Sequence, residues 1–301
     1  MLTILEASKL ITNPLAQGVV EVIASNNPVL ERLPFIDIAG TAYRYNREDT
    51  LPGIAFRGFN EGYTESTGVI NPQVESLTIA GGDSDFDVAL VAMGAGSNDI
   101  RATHDAMKAK SLSLTWLKTF FDGDSSLNPR EFDGLNARLT GGQVIPLASG
   151  GATLTLDALD ELIDAVVGTP DVLLMSKWAR RKVNKLIRAA GQASEIVSDA
   201  FGRQVMAYAG IPIGVVEDDA TGTAILGFDE DDGAGNLDTT SIYAARFDAE
   251  TLLGIETAPI DVRDLGEIEA KPALRTRIEW YSGLALKHPR AAARLTRINN
   301  A

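Results

Sequence analysis

Cysteine is absent from the 301 residues of this chain, and histidine occurs only at His104 and His288. The lack of thiols excludes disulfide bonds, thiolate zinc sites, iron–sulfur clusters and cysteine nucleophiles. Two histidines supply little for a histidine-built metal centre or for Ser–His–Asp catalysis. No second histidine or carboxylate stands four residues from either one in a metal-ligand pattern. The sequence therefore predicts neither cofactor nor metal, and no enzyme mechanism emerges from it.

Long apolar runs are also missing. The longest uncharged stretch, 139–156, is rich in Gly, Thr and Pro, and it is too short and too polar to span a bilayer. The first nine residues include Glu6 and Lys9, so they do not have the basic start and apolar run of an export signal. These features predict a soluble protein.

Basic residues are in deficit, with 27 Lys and Arg against 41 Asp and Glu, which gives a formal net charge of −14. The charges are segregated: 217–238 contains eight acids and no base, whereas 177–188 contains six bases and no acid. Net acidity disfavours tight binding of a phosphate backbone, and segregated charge favours self-association between unlike surfaces.

The N-terminal third has apolar segments without an evident core. Residues 1–33 are interrupted by prolines, and they resemble an extended or part-helical arm that needs a surface to lie on. An Arg- and aromatic-rich hairpin follows at 40–63, with a turn at 51–53 and a return strand at 54–59. A second hairpin is predicted from Val74, with its turn at Gly81–Gly82. A hairpin without its own core usually packs on another surface.

The rest of the chain has the periodicity of helices alternating with strands. A long helix is predicted over 98–121, with an apolar stripe that includes Met107 and Leu114. After the connector at 139–156 come a short amphipathic helix, a buried strand at 170–175 and a basic helix capped by Ser176. A strand at 273–286 is the longest one predicted.

Three sequence motifs resemble functional sites, but none of them is specific enough to establish one. Gly94 and Gly96 lack the third glycine of a dinucleotide-binding loop, because Asp99 stands in its place. The acidic loop 229–238 departs from the EF-hand pattern at three positions, although a weak divalent site there stays open. The basic helix 177–188 could contact phosphate, but its bases also fit an ordinary solvent-facing side.

The order of these elements resembles the major capsid protein of tailed phages, which has the Hong Kong 97-type fold. The resemblance covers nearly the whole chain, and four stretches carry it in particular: 77–83 with Val88, 208–215, 242–247 and 275–298. Its motifs are structural, because the family has no catalytic signature.

The resemblance implies an α+β, L-shaped subunit with four parts. These are an N-terminal arm (1–33), an extended E-loop hairpin (40–72) lying over a neighbour, a peripheral domain with a long spine helix (73–147, completed by about 247–281) and an α/β axial domain (148–246, completed by about 282–301). It implies a structural protein that forms an icosahedral shell of hexamers and pentamers around phage double-stranded DNA, in virions assembled in the host bacterial cytoplasm.

The candidate subunit-interface residues lie in the hairpin, and they are Arg44, Arg47, Asp49, Arg57 and Phe59. The implied partners are further copies of the chain, a portal, a scaffolding protein, a decoration protein and, weakly and without specificity, the packaged DNA. An encapsulin-type nanocompartment shell is the alternative within this fold. A soluble acidic α/β enzyme is the alternative outside it.

Overall fold

The structure is a computed structural model, and it describes residues 2–4, 6, 14–25, 27–50, 52–89, 100–191, 193, 195–199 and 201–300. The described chain contains five α-helices. They are α1 (Pro14–Ser25), α2 (Ile100–Asp122), α3 (Leu135–Arg138), α4 (Leu156–Ala165) and α5 (Lys177–Ala189). None of the described helices is both long enough and apolar enough to cross a membrane.

Sixteen strands occur in the described chain. They are β1 (Leu2–Thr3), β2 (Pro34–Asp37), β3 (Ala42–Thr50), β4 (Val69–Ser76), β5 (Thr78–Asp87), β6 (Val144–Pro146), β7 (Val172–Ser176), β8 (Glu195–Ser198), β9 (Gln204–Tyr208), β10 (Ile211–Val216), β11 (Glu230–Asp231), β12 (Leu237–Ala245), β13 (Leu252–Glu256), β14 (Asp261–Glu267), β15 (Ala273–Leu286) and β16 (Ala292–Asn299).

These strands form two mixed sheets and a separate ribbon. The first sheet has the order β1-β2-β13-β15-β14, and β5 also pairs with β15, antiparallel to it. The second has the order β6-β16-β12-β7-β10-β9-β8, with β11 against β12, and β3 and β4 form the two-stranded ribbon. The chain therefore combines helices with mixed sheets, as the predicted α+β class requires, and the division into domains stays a prediction.

Alternation along β7 shows how the second sheet is covered on both faces. Val172 and Leu174 join the core that contains α1 and α2, whereas Leu173 and Met175 join the core that contains α4 and α5. Successive side chains of a strand point to opposite faces, so one buried strand serves both layers. Helix α5 is capped as predicted, because the Ser176 hydroxyl accepts a hydrogen bond from the Ala179 amide.

Four local predictions are corrected. The strand that returns on β3 is β4 (Val69–Ser76), and not the segment 54–59. Gly81 and Gly82 do not turn; they lie inside β5, where a Cβ on Gly81 would stand 2.5 Å from the Ile278 carbonyl oxygen. Glycine there permits the close approach of β5 to β15.

The other two corrections concern burial. On α2, Met107 is 62% exposed, and the buried side of the helix is formed by Ala109, Leu112, Trp116, Phe120 and their neighbours. Apolar side chains in the described part of the arm are buried against their own subunit. Ile23 of α1 is buried, and its carbonyl accepts a hydrogen bond from Ser113 of α2 at 2.8 Å.

Candidate intersubunit interface

The β3–β4 hairpin is fixed to the body at its root by two tyrosines. Tyr43 and Tyr45 stack with their ring centroids 5.7 Å apart, and the Tyr45 hydroxyl donates to the Leu286 carbonyl at 2.8 Å. Tyr45 is buried, and this burial, followed by the nearby Glu75 carboxylate, raises the pKa of its phenol to about 12. The phenol therefore stays a hydrogen-bond donor throughout the physiological pH range.

An arginine–glutamate pair fixes the returning strand. Arg138, at the end of α3, donates to both carboxylate oxygens of Glu75 at 2.5 and 2.7 Å. The same guanidinium donates to the carbonyls of Asp133 at 2.7 Å and Leu284 at 3.1 Å. Both side chains are largely buried, so the bidentate geometry is little screened by water. The root of the hairpin is thereby held rigidly to α3 and β15.

Beyond this root, residues 52–68 form an exposed loop without strand pairing. Short local hydrogen bonds shape it: the Gly53 amide donates to the Ser66 hydroxyl, and the Gly58 amide donates to the Glu61 carboxylate, each at 2.7 Å. Arg57 donates to the Glu61 carbonyl at 3.2 Å, and its guanidinium lies 5.2 Å from the centre of the Tyr63 ring.

The tip of this loop presents apolar side chains entirely to solvent. Ile54 is 96% exposed, Phe56 107% and Phe59 100%. Val69 and Ile70, at the start of β4, are also exposed. Contiguous exposed aromatic and aliphatic groups of this kind mark protein–protein contact surfaces.

Four of the five candidate interface side chains lie in described parts of the hairpin. Arg44, Arg57 and Phe59 are exposed, and Arg47 is half-buried with an Nε that has no hydrogen-bond partner in the described chain. The backbone of Asp49 lies at the register shift between Glu48 and Thr50, and its side chain lies outside what the structure describes. Their proposed role at an interface stays a prediction.

The root residues Glu75 and Arg138 were not identified from the sequence. The two are 63 residues apart, and neither stands in a motif, so no local pattern joins them. The alternation of Tyr43 and Tyr45 in an Arg-rich segment was the one local signal that this hairpin has an anchored face.

The acidic loop and His104 make structural contacts in the described chain. In the acidic loop, Asp232 Oδ1 accepts from the amides of Ala234 and Asn236, and the bond from the Asn236 side chain is the largest cause of its lowered pKa. No group of three potential ligands suited to a metal ion occurs in the described residues. His104 lies edge-on to Phe86. Gly94 and Gly96 lie outside the described residues.

A family model described as Major capsid protein GP7 matches residues 13–155 of the chain. No curated protein sequence matches the chain significantly.

Solved structures show the same fold at low sequence identity. The SrpI encapsulin of Synechococcus elongatus PCC 7942 aligns with a TM-score of 0.66 and 17% identity, covering 89% of this chain and 85% of its own. The capsid of a native GTA particle aligns with a TM-score of 0.64 and 14% identity, covering 96% and 92%. A protein of Mycobacterium phage Bobi aligns with a TM-score of 0.63 and 13% identity, covering 91% of each chain.

Proposed function

We propose that the chain is a tailed-phage-like major capsid protein, and that its copies close into an icosahedral shell of hexamers and pentamers around phage double-stranded DNA. Its role in this shell is that of a building block and not of a catalyst.

The exposed tip of the hairpin is the observation that carries this proposal. Ile54, Phe56 and Phe59 lie at the end of a loop whose root is held by the buried Arg138–Glu75 pair. Burying one large apolar side chain contributes about 1.5–3 kcal/mol. A neighbour that covers all three therefore gains several kcal/mol for each contact. Because the root of the hairpin is already fixed in the free subunit, less conformational entropy is lost when the hairpin binds a neighbour.

The hairpin arginines complement the apolar contact. Arg44, Arg47 and Arg57 form no ion pair with the described acids of their own chain, while the chain as a whole carries a net charge of −14. An adjacent copy thus offers abundant carboxylates. The unpartnered Nε of Arg47 also favours an acceptor from outside the chain. Bidentate pairing of guanidinium with carboxylate would fix the orientation of the hairpin on its neighbour.

Reversal of one hairpin charge tests this role. Arg57→Glu should leave the subunit folded, because Arg57 is exposed and its described bonds are local to the loop. It should impair assembly, because a carboxylate would then face the acids of the neighbour. Arg130→Glu, at an exposed arginine outside the hairpin, is the matched control. If the Arg57→Glu variant forms normal shells, the proposed intersubunit role of this loop is refuted.

The remaining partners follow from this role. A shell filled with DNA needs a portal for its entry, and a scaffolding and a decoration protein are the further partners that we propose. The net acidity of the chain suits a container that holds DNA weakly and without sequence specificity, since tight phosphate binding would oppose packaging and release. The mature location is the virion capsid, with assembly in the host bacterial cytoplasm.

An encapsulin-type shell is the second candidate, and the likeness to SrpI encapsulin favours it. Electron microscopy of the particles, together with analysis of their contents, separates the two. Shells that contain genomic DNA support the capsid function, and shells that contain a protein cargo support the encapsulin function. A small oligomer without shells would exclude both shell functions and would favour the alternative of a soluble acidic α/β enzyme.

A further inference from the structure

Helices α4 and α5 lie side by side over one face of the second sheet and carry opposite charge. Their inner sides share one core, to which α4 contributes Leu159 and Leu162 and α5 contributes Val183 and Ile187. Their outer sides differ completely. The exposed positions of α4 include four acids and no base, whereas those of α5 include five bases and no acid.

The two charged sides have the same spacing. The acids Asp157, Glu161 and Asp164 stand at positions i, i+4 and i+7, and we call them the acidic stripe. The bases Arg181, Lys185 and Arg188 stand at the same three intervals, and we call them the basic stripe. At a rise of 1.5 Å per residue each stripe is about 10 Å long. Asp160 supplies an acid at i+3, so the charges can match with the helices in either direction.

Among the described residues, the basic stripe has no acidic partner in its own subunit. The three bases form no ion pair in the part of the chain that the structure describes, whereas Lys177, at the start of the same helix, pairs with Glu217 at 2.8 Å. The three bases, together with Trp178 and Lys182, line a shallow groove of about 410 Å³. On the acidic side, Asp160 accepts from the Tyr208 hydroxyl at 2.7 Å, and the acidic stripe forms no ion pair with described bases.

From this we propose that the basic stripe on α5 of one copy docks on the acidic stripe on α4 of an adjacent copy. The inference rests on the proposed assembly into shells, and it adds a second contact surface, remote from the hairpin. Each copy supplies both halves of the contact, so no other chain is needed. The equal spacing on two helices favours α4 over the acidic segment 217–238, which forms no helix in the structure.

Charge reversal and charge exchange test this pairing in the full chain. Reversing the basic stripe (Arg181→Glu, Lys185→Glu and Arg188→Glu) should raise the threshold concentration for shell formation by at least roughly tenfold. Reversing the acidic stripe (Asp157→Lys, Glu161→Lys and Asp164→Lys) should do the same. The chain with both reversals exchanges the two stripes, and it should assemble near the wild-type threshold. That recovery distinguishes pairing from a fold defect.

Two controls complete the design. Lys110→Glu, Arg130→Glu and Lys177→Glu reverse three exposed bases outside the stripe and change the net charge equally. This control chain should assemble like the wild type, and an equal loss would assign the effect to net charge and overturn the pairing. Raising the salt concentration should raise the wild-type threshold and should lower the threshold of the single-stripe reversals, because their facing stripes carry like charges whose repulsion salt screens.

Neutralising the basic stripe by Arg181→Gln, Lys185→Gln and Arg188→Gln tests nucleic acid as the rival partner. Shells that form at the wild-type threshold but contain less DNA would show that α5 faces the genome, and they would overturn the proposal. Failure of the exchanged chain to recover, with wild-type shells normal, would also overturn it while leaving the proposed function intact. Absence of wild-type shells would instead refute the proposed function.

Discussion

The Arg138–Glu75 pair at the root of the hairpin permits the sharpest stability prediction. Arg138→Ala removes four hydrogen bonds, two to Glu75 and one each to the carbonyls of Asp133 and Leu284. It leaves the Glu75 carboxylate, whose side chain is only 15% exposed, without its cation. Removing one partner of a buried ion pair costs about 3–5 kcal/mol. Since this pair retains some contact with water, we expect a loss of about 3 kcal/mol.

Urea unfolding of the dissociated subunit measures this loss. Trp116 and Trp280 are buried, so their fluorescence reports the transition. Arg138→Lys keeps the charge but loses the bidentate geometry, and it should fall between the wild type and Arg138→Ala. Arg130→Ala, at an exposed arginine, should change the free energy of unfolding by less than about 0.5 kcal/mol.

A double variant separates two contributions to the loss of stability: the unpaired carboxylate of Glu75 and the missing contacts of Arg138. Arg138→Met combined with Glu75→Leu removes both charges, so it should be less destabilised than Arg138→Met alone. If Arg138→Ala loses less than about 1 kcal/mol, or if the double variant is no more stable than the single one, the anchoring role of the pair is refuted.

Two further predictions concern pH and covalent state. Glu256 is buried, and desolvation raises the pKa of its carboxyl to about 7 although it accepts a hydrogen bond from Trp280. The folded state therefore binds more protons than the unfolded state between about pH 4.5 and 7, so the free energy of unfolding should fall by on the order of 3 kcal/mol as the pH rises through that window. Glu256→Gln should lack this slope relative to the wild type, and an unchanged slope would assign it to other groups. Denatured particles should run as single chains near 32.1 kDa, because the sequence has no lysine between Lys9 and Lys108 to supply an amine in the hairpin, and a ladder of covalent multimers would contradict this.

The elements predicted well are those that local pattern determines. The strand at 273–286 was predicted with the limits that β15 has, because its alternation and its flanking turns lie within the same segment. The basic helix was predicted from Ser176 onward, because cap and periodicity are both local. Neither prediction depends on contacts with residues that are distant in the sequence.

The misplaced elements depend on contacts between distant residues. A Gly–Gly pair favours a turn in a short peptide. In the sheet, however, the lack of a side chain at Gly81 allows its backbone to lie close to the Ile278 carbonyl. The return strand β4 contains Glu75, whose partner Arg138 lies 63 residues further along the chain. In the candidate site, the sequence predicted an Arg- and aromatic-rich hairpin without its own core, and it could not reveal the buried pair that holds the root.

The state of the hairpin tip in assembled particles tests the central claim most directly. A cryo-electron microscopy map of particles formed by the full chain should show closed icosahedral shells in which Phe56 and Phe59 are buried against an adjacent subunit. It should also show the root pair of Arg138 and Glu75 intact. Small oligomers in place of shells, or shells in which both phenylalanines still face solvent, would contradict the account.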